Sequence, residues 1–276
     1  MKTITSPRAM QRQALTWRRM GKRVVLVPTM GALHPGHVAL IRRARRLAGD
    51  GVVVVTIFVN PTQFNDAGDL RRYPRPLAAD KCLCRDEGVN VVFNPRSLYA
   101  PDASVAVEET AVSRGMEGAA RPGHFCGVAT VVVKLFNLAL PDVAVFGEKD
   151  FQQAALIRRV VRDLDLPVRV VVVPTVREAD GLACSSRNAL LNGRERASAA
   201  VLWRVIGMAR RAVRDGGLRG LRQRIKKYIE QQPGTRVDYV EFFDEHTLRP
   251  VLPRKGARLA LAVYVGKTRL IDNGRM

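Results

Sequence analysis

His34 and His37 stand three residues apart in the stretch PTMGALHPGH, and they are half of the four histidines in this 276-residue chain. The apolar run VVLV before them reads as a strand, Gly31 permits a sharp turn, and a helix is expected to start near Pro35, a residue suited to the first helical turn. The two imidazoles would then stand at a strand end beside a helix N-terminus, where unpaired backbone N–H groups and the helix dipole both favour phosphate. At i and i+3 they share one helix face, so both can donate to a single phosphate chain. When a nucleophile attacks an α-phosphorus, charge spreads over its oxygens and the leaving pyrophosphate, and donors already in place lower that barrier. Plainer roles stay open, a helix cap or a packed core histidine. A zinc pair is incomplete without a third ligand.

Three further segments carry residues of the same chemical bent. VNPTQF ends a strand-like run, so Asn60 and Gln63 should project from a strand end, where neutral amides can hold hydroxyls and a carboxylate without quenching its nucleophilicity; turn formation before Pro61 explains Asn60 equally well. FGEKDFQQ repeats the strand-end, helix-start geometry, with Lys149 as a point charge for phosphate and Asp150 as either a ribose acceptor or a helix cap. A local surface pair between these two is the bland alternative. In CSSRN, Ser185, Ser186 and Arg187 offer two hydroxyls and a fixed cation to a triphosphate, although a capped turn would have the same composition.

These segments need a scaffold that brings strand ends together. From Lys22 to about Pro174, the runs KRVVLVP, GVVVVTIFVN, VNVVF, DVAVF and VRVVVVP alternate with helix-like stretches. Near-continuous Val and Ile runs suit strands covered on both faces, as in a parallel sheet. Strand–helix–strand repeats predict right-handed crossovers and a Rossmann-like, doubly wound α/β sheet with its ligand at the carboxyl ends of the strands. HVALIRRARRLAG is the expected first helix, with Val38, Ile41, Ala44 and Ala48 on one face and Gly49 as its stop. After PTVREADG the texture shifts to two basic helical stretches followed by the strand-like RVDYVEFFD and ARLALAVYV. The expected division is residues 1–175 and a smaller α+β unit, residues 176–276.

Composition narrows the class. Hydrophobic residues at 47% and charged ones at 26% fit a folded globular protein, not a disordered one. No apolar run approaches the roughly 20 residues of a membrane span, and the N-terminus lacks a secretory apolar core, so the expected location is the cytoplasm, with no membrane partner. Cys82, Cys84, Cys126 and Cys184 form no C-x-x-C pair and read as reduced thiols, with a structural zinc site the lesser alternative. The formal charge of +21 attracts phosphates. The arginines nevertheless recur as short pairs on helix faces without interleaved aromatics, which suits a solvated basic surface better than a specific nucleic-acid site.

The ordered set VPTMGALHPGH, TIFVNPTQF, YPR, EGAARPGHFCGVATVVVKLFN, FGEKDFQQ and DGLACSSRN spans nearly the whole chain and resembles pantothenate synthetase, a family of the HIGH-type nucleotidyltransferases. The resemblance implies an ATP-dependent ligase that joins pantoate to β-alanine through a pantoyl adenylate, releasing pyrophosphate and then AMP. It implies catalysis by His34, His37 and Lys149. It gives ATP to Met30, Gly31, His34, Gly36, His37, Gly147, Glu148, Lys149, Asp150, Val176, Cys184, Ser185, Ser186 and Arg187. Pantoate falls to Gln63, Gln153 and, as a supporting contact, Asn60, with Gln63 also serving β-alanine. CSSRN plays the part of the KMSKS loop, supplied by the second unit and able to close over ATP. Mg2+ is expected to travel with ATP on phosphate oxygens and water, with no metal site built by the protein, and a homodimer is expected.

Two positions depart from the family pattern, where Cys184 is usually replaced by Met or Leu and Cys126 by a polar or charged residue. The strong positive charge is also unusual. Two rival readings follow: another H-x-G-H nucleotidyltransferase with a nucleotidylated product, or a basic nucleic-acid-binding protein on an inactive enzyme scaffold.

Overall fold

The computed structural model describes all residues from Met1 to Met276. Six strands, β1 (Lys2–Ile4), β2 (Val24–Thr29), β3 (Val52–Ile57), β4 (Val91–Phe93), β5 (Val143–Gly147) and β6 (Arg169–Val173), form one parallel sheet in the order β1-β4-β3-β2-β5-β6. The five valine-rich runs are all strands. The three-residue β1, pairing Lys2 with Val91 at the edge, is too short to show a period.

The Val runs are continuous because both faces of the sheet are covered. Val24, Leu26, Val52 and Val54 point to one side, where Met10 and Ala14 of helix Pro7–Arg19 meet helices His124–Ala139 and Phe151–Asp163. Val25, Val27, Val53 and Val55 point to the other, against Leu40, Ile41, Ala44 and Ala48 of helix Pro35–Ala48 and Cys84 of helix Leu77–Asp86. Helix Pro35–Ala48 stops at Gly49, whose φ of 60° is left-handed; its buried stripe includes Leu40 while Val38 is only partly covered.

From β2 the chain passes first to β3 on one side and later to β5 on the other. The sheet order therefore reverses between β2 and β5, and the crevice beyond their carboxyl ends is where such sheets bind ligands.

Beyond Val173 the chain runs to Asn192 through an isolated bridge between Arg177 and Ala183 and a 3-10 helix, Ser186–Leu190. The basic stretch that reads as one helix is two, Gly193–Ala199 and Val201–Arg214, followed by Leu221–Glu230. Strands β7 (Thr235–Asp244), β8 (Ala257–Val265) and β9 (Thr268–Arg275) form an antiparallel sheet in that order. The sequence reading missed β9, because TRLIDNGR has only the adjacent pair Leu270 and Ile271 among polar residues and shows no alternation. Leu259, Leu261, Val263 and Val265 of β8 pack under the helices. Ala260, with Phe243 and Leu248, belongs instead to the core of the parallel sheet, so an apolar seam joins the two sheets. No helix is long and apolar enough to cross a membrane.

Candidate active site

The loop after β2 is fixed before any ligand arrives. Gly31 has φ +83°, and a Cβ there would lie 2.9 Å from both Asp80 Oδ2 and Ile57 Cγ2, so no other residue fits without displacement. The buried Asp80 carboxylate accepts the N–H groups of Ala32 and Leu33 at 2.9 and 2.8 Å, which delivers the chain to His34, the N-cap of helix Pro35–Ala48.

The two histidines cap the helix that follows them. Nδ1 of His34 accepts the Gly36 N–H at 3.1 Å, and Nδ1 of His37 accepts the His34 N–H at 3.3 Å, a reciprocal capping box. Because each Nδ1 is an acceptor, each neutral ring carries its proton on Nε2 and keeps one N–H for a ligand. Burial, followed by the nearby Lys149 charge, pulls His34 down to about 4. Burial, then His34 and Lys149, pulls His37 down to about 3. The rings, with centroids 4.0 Å apart, are thus uncharged donors at neutral pH. Gly36 serves a steric purpose, since a Cβ there would sit 2.8 Å from His34 Cε1.

The wall beyond β3 holds the carboxamides. Asn60 is buried and its amide is fully used: Nδ2 donates to Gln63 Oε1 and to the Gly127 carbonyl, both at 3.1 Å, while Oδ1 accepts from Thr62 and from the Tyr99 hydroxyl. Asn60 lines the cavity, and these four bonds also tie it to Gln63. The Gln63 backbone is held as firmly, its carbonyl receiving Arg121 Nη2 at 3.0 Å and His124 Nδ1 at 2.8 Å. Helix His124–Ala139 reaches this turn through Gly127, where a Cβ would fall 2.5 Å from the Thr62 carbonyl. Gln63 Nε2 is left pointing at the Met30 sulfur, 3.3 Å away.

Beyond β5, Lys149 Nζ lies 3.5 Å from Asp150 Oδ1. It is largely covered, so the pair is no free surface bridge. Asn273 of β9 donates to the carbonyls of Glu148 and Lys149 at 3.0 and 2.9 Å, and the Glu148 carboxylate is bound by Arg258 at 2.9 Å.

From the other side comes the segment after Val176. Ser185 Oγ caps the turn by accepting the Arg187 N–H, Ser186 lies 3.4 Å from the Tyr73 hydroxyl, and Arg187 is paired with Asp69 at 2.8 Å. Cys184 is buried and its N–H donates to the Val176 carbonyl.

These four segments enclose a cavity of about 220 Å³ at the switch point. Met30, His34, Gly36, His37, Asn60, Gln63, Gly147, Lys149, Asp150, Gln153, Val176, Cys184, Ser185, Ser186 and Arg187 all line it. Two expected ATP residues do not. Gly31 shapes the loop from behind, and Glu148 is turned toward Arg258 of the C-terminal sheet, a partner invisible from the local motif. Cys126 lies outside as well. Sequence reasoning missed Arg121, His124 and Tyr73, together with the apolar floor of Phe58, Val128, Val131, Val132 and Leu135. The signal was within RPGHF, where an arginine and a histidine open an otherwise apolar helix. Through Arg121, His124, Lys149, Asp150, Gln153, Ser185 and Arg187 the cavity adjoins a larger one, about 620 Å³, lined in part by the C-terminal sheet.

A doubly wound parallel sheet, with uncharged histidine donors, a lysine and an arginine facing carboxamides across its switch point, defines an α/β protein of the nucleotide-binding class. The sequence matches the family pantoate-beta-alanine ligase over residues 2–275, and the chain belongs to that family. It is 48% identical over 278 residues to the pantothenate synthetase of Akkermansia muciniphila, covering 99% of each. To that of Chlorobium phaeovibrioides it is 47% identical over 280 residues, covering 99% of this chain and 95% of the relative. The crystal structure of pantothenate synthetase from Thermus thermophilus matches with TM-score 0.91 at 41% identity, over 100% of this chain and 99% of that one. A pantoate-beta-alanine ligase from Francisella tularensis, solved in complex with beta-gamma ATP and beta-alanine, matches with TM-score 0.83 at 33% identity over 100% and 97%.

Proposed function

We infer that this chain catalyses the ATP-dependent ligation of pantoate and β-alanine, by way of a pantoyl adenylate. The observation that carries the residue-level reading is the single cavity in which His34, His37, Lys149 and Arg187 face Gln63 and Gln153. A carboxylate is a poor acyl donor, so its oxygen first attacks the α-phosphorus and pyrophosphate leaves. The amine of β-alanine then attacks the acyl carbon and AMP departs.

Each group has a task matched to its chemistry. Nε2–H of His34 and His37 donates to phosphate oxygens as charge grows there, without the desolvation penalty of a buried cation. Lys149 and Arg187 neutralise the phosphates, and Ser185 and Ser186 supply hydroxyls. Gln63 and Gln153 aim the acid, whose dimethyl carbon suits the floor of Phe58, Val128, Val131 and Leu135. Little covalent work remains; alignment of the reactants supplies most of the acceleration.

Magnesium would arrive with ATP. Carried by phosphate oxygens and water, it would neutralise phosphate charge. Residues 176–276 act as the cover over the ATP site on residues 1–175, excluding water that would hydrolyse the adenylate. The working form is a cytoplasmic homodimer.

The test is isotope exchange. Labelled pyrophosphate should enter ATP when pantoate is present and β-alanine absent, and AMP release should then require the amine. A stable nucleotidylated product would replace this reading with a transferase one.

A further inference from the structure

Just outside the candidate active-site cavity, one carboxylate is enclosed more elaborately than packing requires. Glu117 opens the short helix Glu117–Ala120 and is 8% exposed. Its Oε2 and Oε1 receive Arg269 Nη1 and Nη2, each at 2.8 Å, and Oε1 also receives the Tyr239 hydroxyl at 2.9 Å. Both partners come from the C-terminal sheet, Tyr239 from β7 and Arg269 from β9. The register of β7 slips between Val237 and Tyr239, and Asp238, at that irregularity, accepts from Arg269 Nε at 2.9 Å. Bulges of this kind re-aim side chains.

The turn that carries Glu117 is equally constrained. Met116 has φ 49°, left-handed for a residue with a side chain, and a Cβ on Gly118 would stand 1.5 Å from the Ser113 carbonyl oxygen. Strain of this sort persists only where the surroundings over-determine it. Here Gln152 does so, accepting the Glu117 N–H at 3.0 Å and donating to the carbonyls of Val112 and Gly115, both at 2.8 Å. An apolar contact would join two sheets at lower desolvation cost than a buried ion pair; what the pair adds is a fixed geometry.

That geometry leads to the site. Glu117 Oε2 is 3.8 Å from Arg121 Nη1, one helical turn on. The same guanidinium donates to the Gln63 carbonyl and faces His124 Nε2 at 3.3 Å. We propose that Glu117 is a positioning residue for the acid-binding step. Through Arg121 it sets where Gln63 stands, and through Arg269 and Tyr239 it makes that setting depend on the seating of the C-terminal sheet. The role rests on the ligase reading, in which Gln63 holds the acid.

Pyrophosphate–ATP exchange on the full chain tests it, with the KM for pantoate and for ATP measured separately. Glu117→Gln should raise the pantoate KM about 10-fold and leave the ATP KM within about twofold, and Tyr239→Phe should shift the same ratio by about threefold. A folded Glu117→Gln chain with unchanged pantoate KM, or with both constants raised alike, overturns the proposal. Should Glu117→Gln fail to fold, Tyr239→Phe, which keeps the carboxylate and loses one hydrogen bond, decides by the same split. Absence of exchange in the unaltered chain is a different failure, which removes the ligase reading and this role with it.

Discussion

Arg187 and Asp69 meet at 2.8 Å across the mouth of the cavity, the one from the segment after β6, the other from helix Ala67–Arg72. In the proposed reading Arg187 binds the triphosphate, yet its guanidinium is already partnered by a carboxylate. ATP must take Arg187 over from Asp69, and a pair 27% and 34% exposed is worth at most about 1 kcal/mol. Asp69→Asn should accordingly lower the KM for ATP, by up to about fivefold, with the pantoate KM unmoved. Initial rates of AMP release at varied ATP check this; a higher ATP KM would show that Asp69 orients Arg187 for the nucleotide.

His37 joins helix geometry to phosphate chemistry in one ring. Nδ1 is engaged with the His34 N–H, so only Nε2 can serve a ligand. Replacement by Ala removes a donor aimed at developing charge and is expected to cut kcat by about 10² or more. Because half of the reciprocal cap goes as well, stability should fall by about 1 kcal/mol. Stopped turnover with a retained unfolding transition supports the role, whereas unaltered kcat in a folded chain removes His37 from the chemistry.

Much of this site was legible because it lies on strand ends that local pattern reveals. The valine runs fixed β2, β3 and β5, and the polar residues just after each run had to gather where the sheet order reverses. What stayed hidden were partners remote in sequence. The Glu148 carboxylate is held by Arg258, 110 residues on, a partner that the local motif does not announce. Asn60 makes four hydrogen bonds, to Gln63, Gly127, Thr62 and Tyr99, and no local pattern announces those to Tyr99 and Gly127. Strand β9 escaped because its buried Asp272 and Asn273 are polar for a tertiary reason, Asp272 binding Arg177 and Asn273 the β5 loop.

Three of the four histidines resist protonation in the folded chain, and the sign of the consequence follows. Burial pulls His124 down to about 4, with Arg121 adding to the effect, alongside His34 at about 4 and His37 at about 3. The unfolded chain takes up these protons below about 6.5, while the folded chain declines them until near 4 or below. Stability from this source is full above pH 6.5 and is lost as the pH falls, each imidazole contributing about 1.4 kcal/mol per pH unit in the window. Unfolding temperatures measured from pH 7 to 4.5 should decline, and His124→Gln should decline less steeply. Parallel curves for the two chains would contradict the buried, neutral state.

Asn60 offers the clearest separation between touching a substrate and aiming something that does. Both amide hydrogens and both lone pairs of the carboxamide oxygen are engaged within the protein, and its side chain is buried. Asn60→Ala removes the second donor to the Gly127 carbonyl and frees the Gln63 amide, a loss of hydrogen bonding that should cost about 1 to 3 kcal/mol of stability. It should also raise the pantoate KM at least about tenfold, because Gln63 must then be ordered when the acid binds. Tyr99→Phe removes one of the four bonds from the far side of Asn60, away from the catalytic groups, and a positioning role requires it to shift the pantoate KM in the same direction by a smaller factor. A direct contact requires no such response, so a pantoate KM that changes with Asn60→Ala and not with Tyr99→Phe would place Asn60 on the substrate.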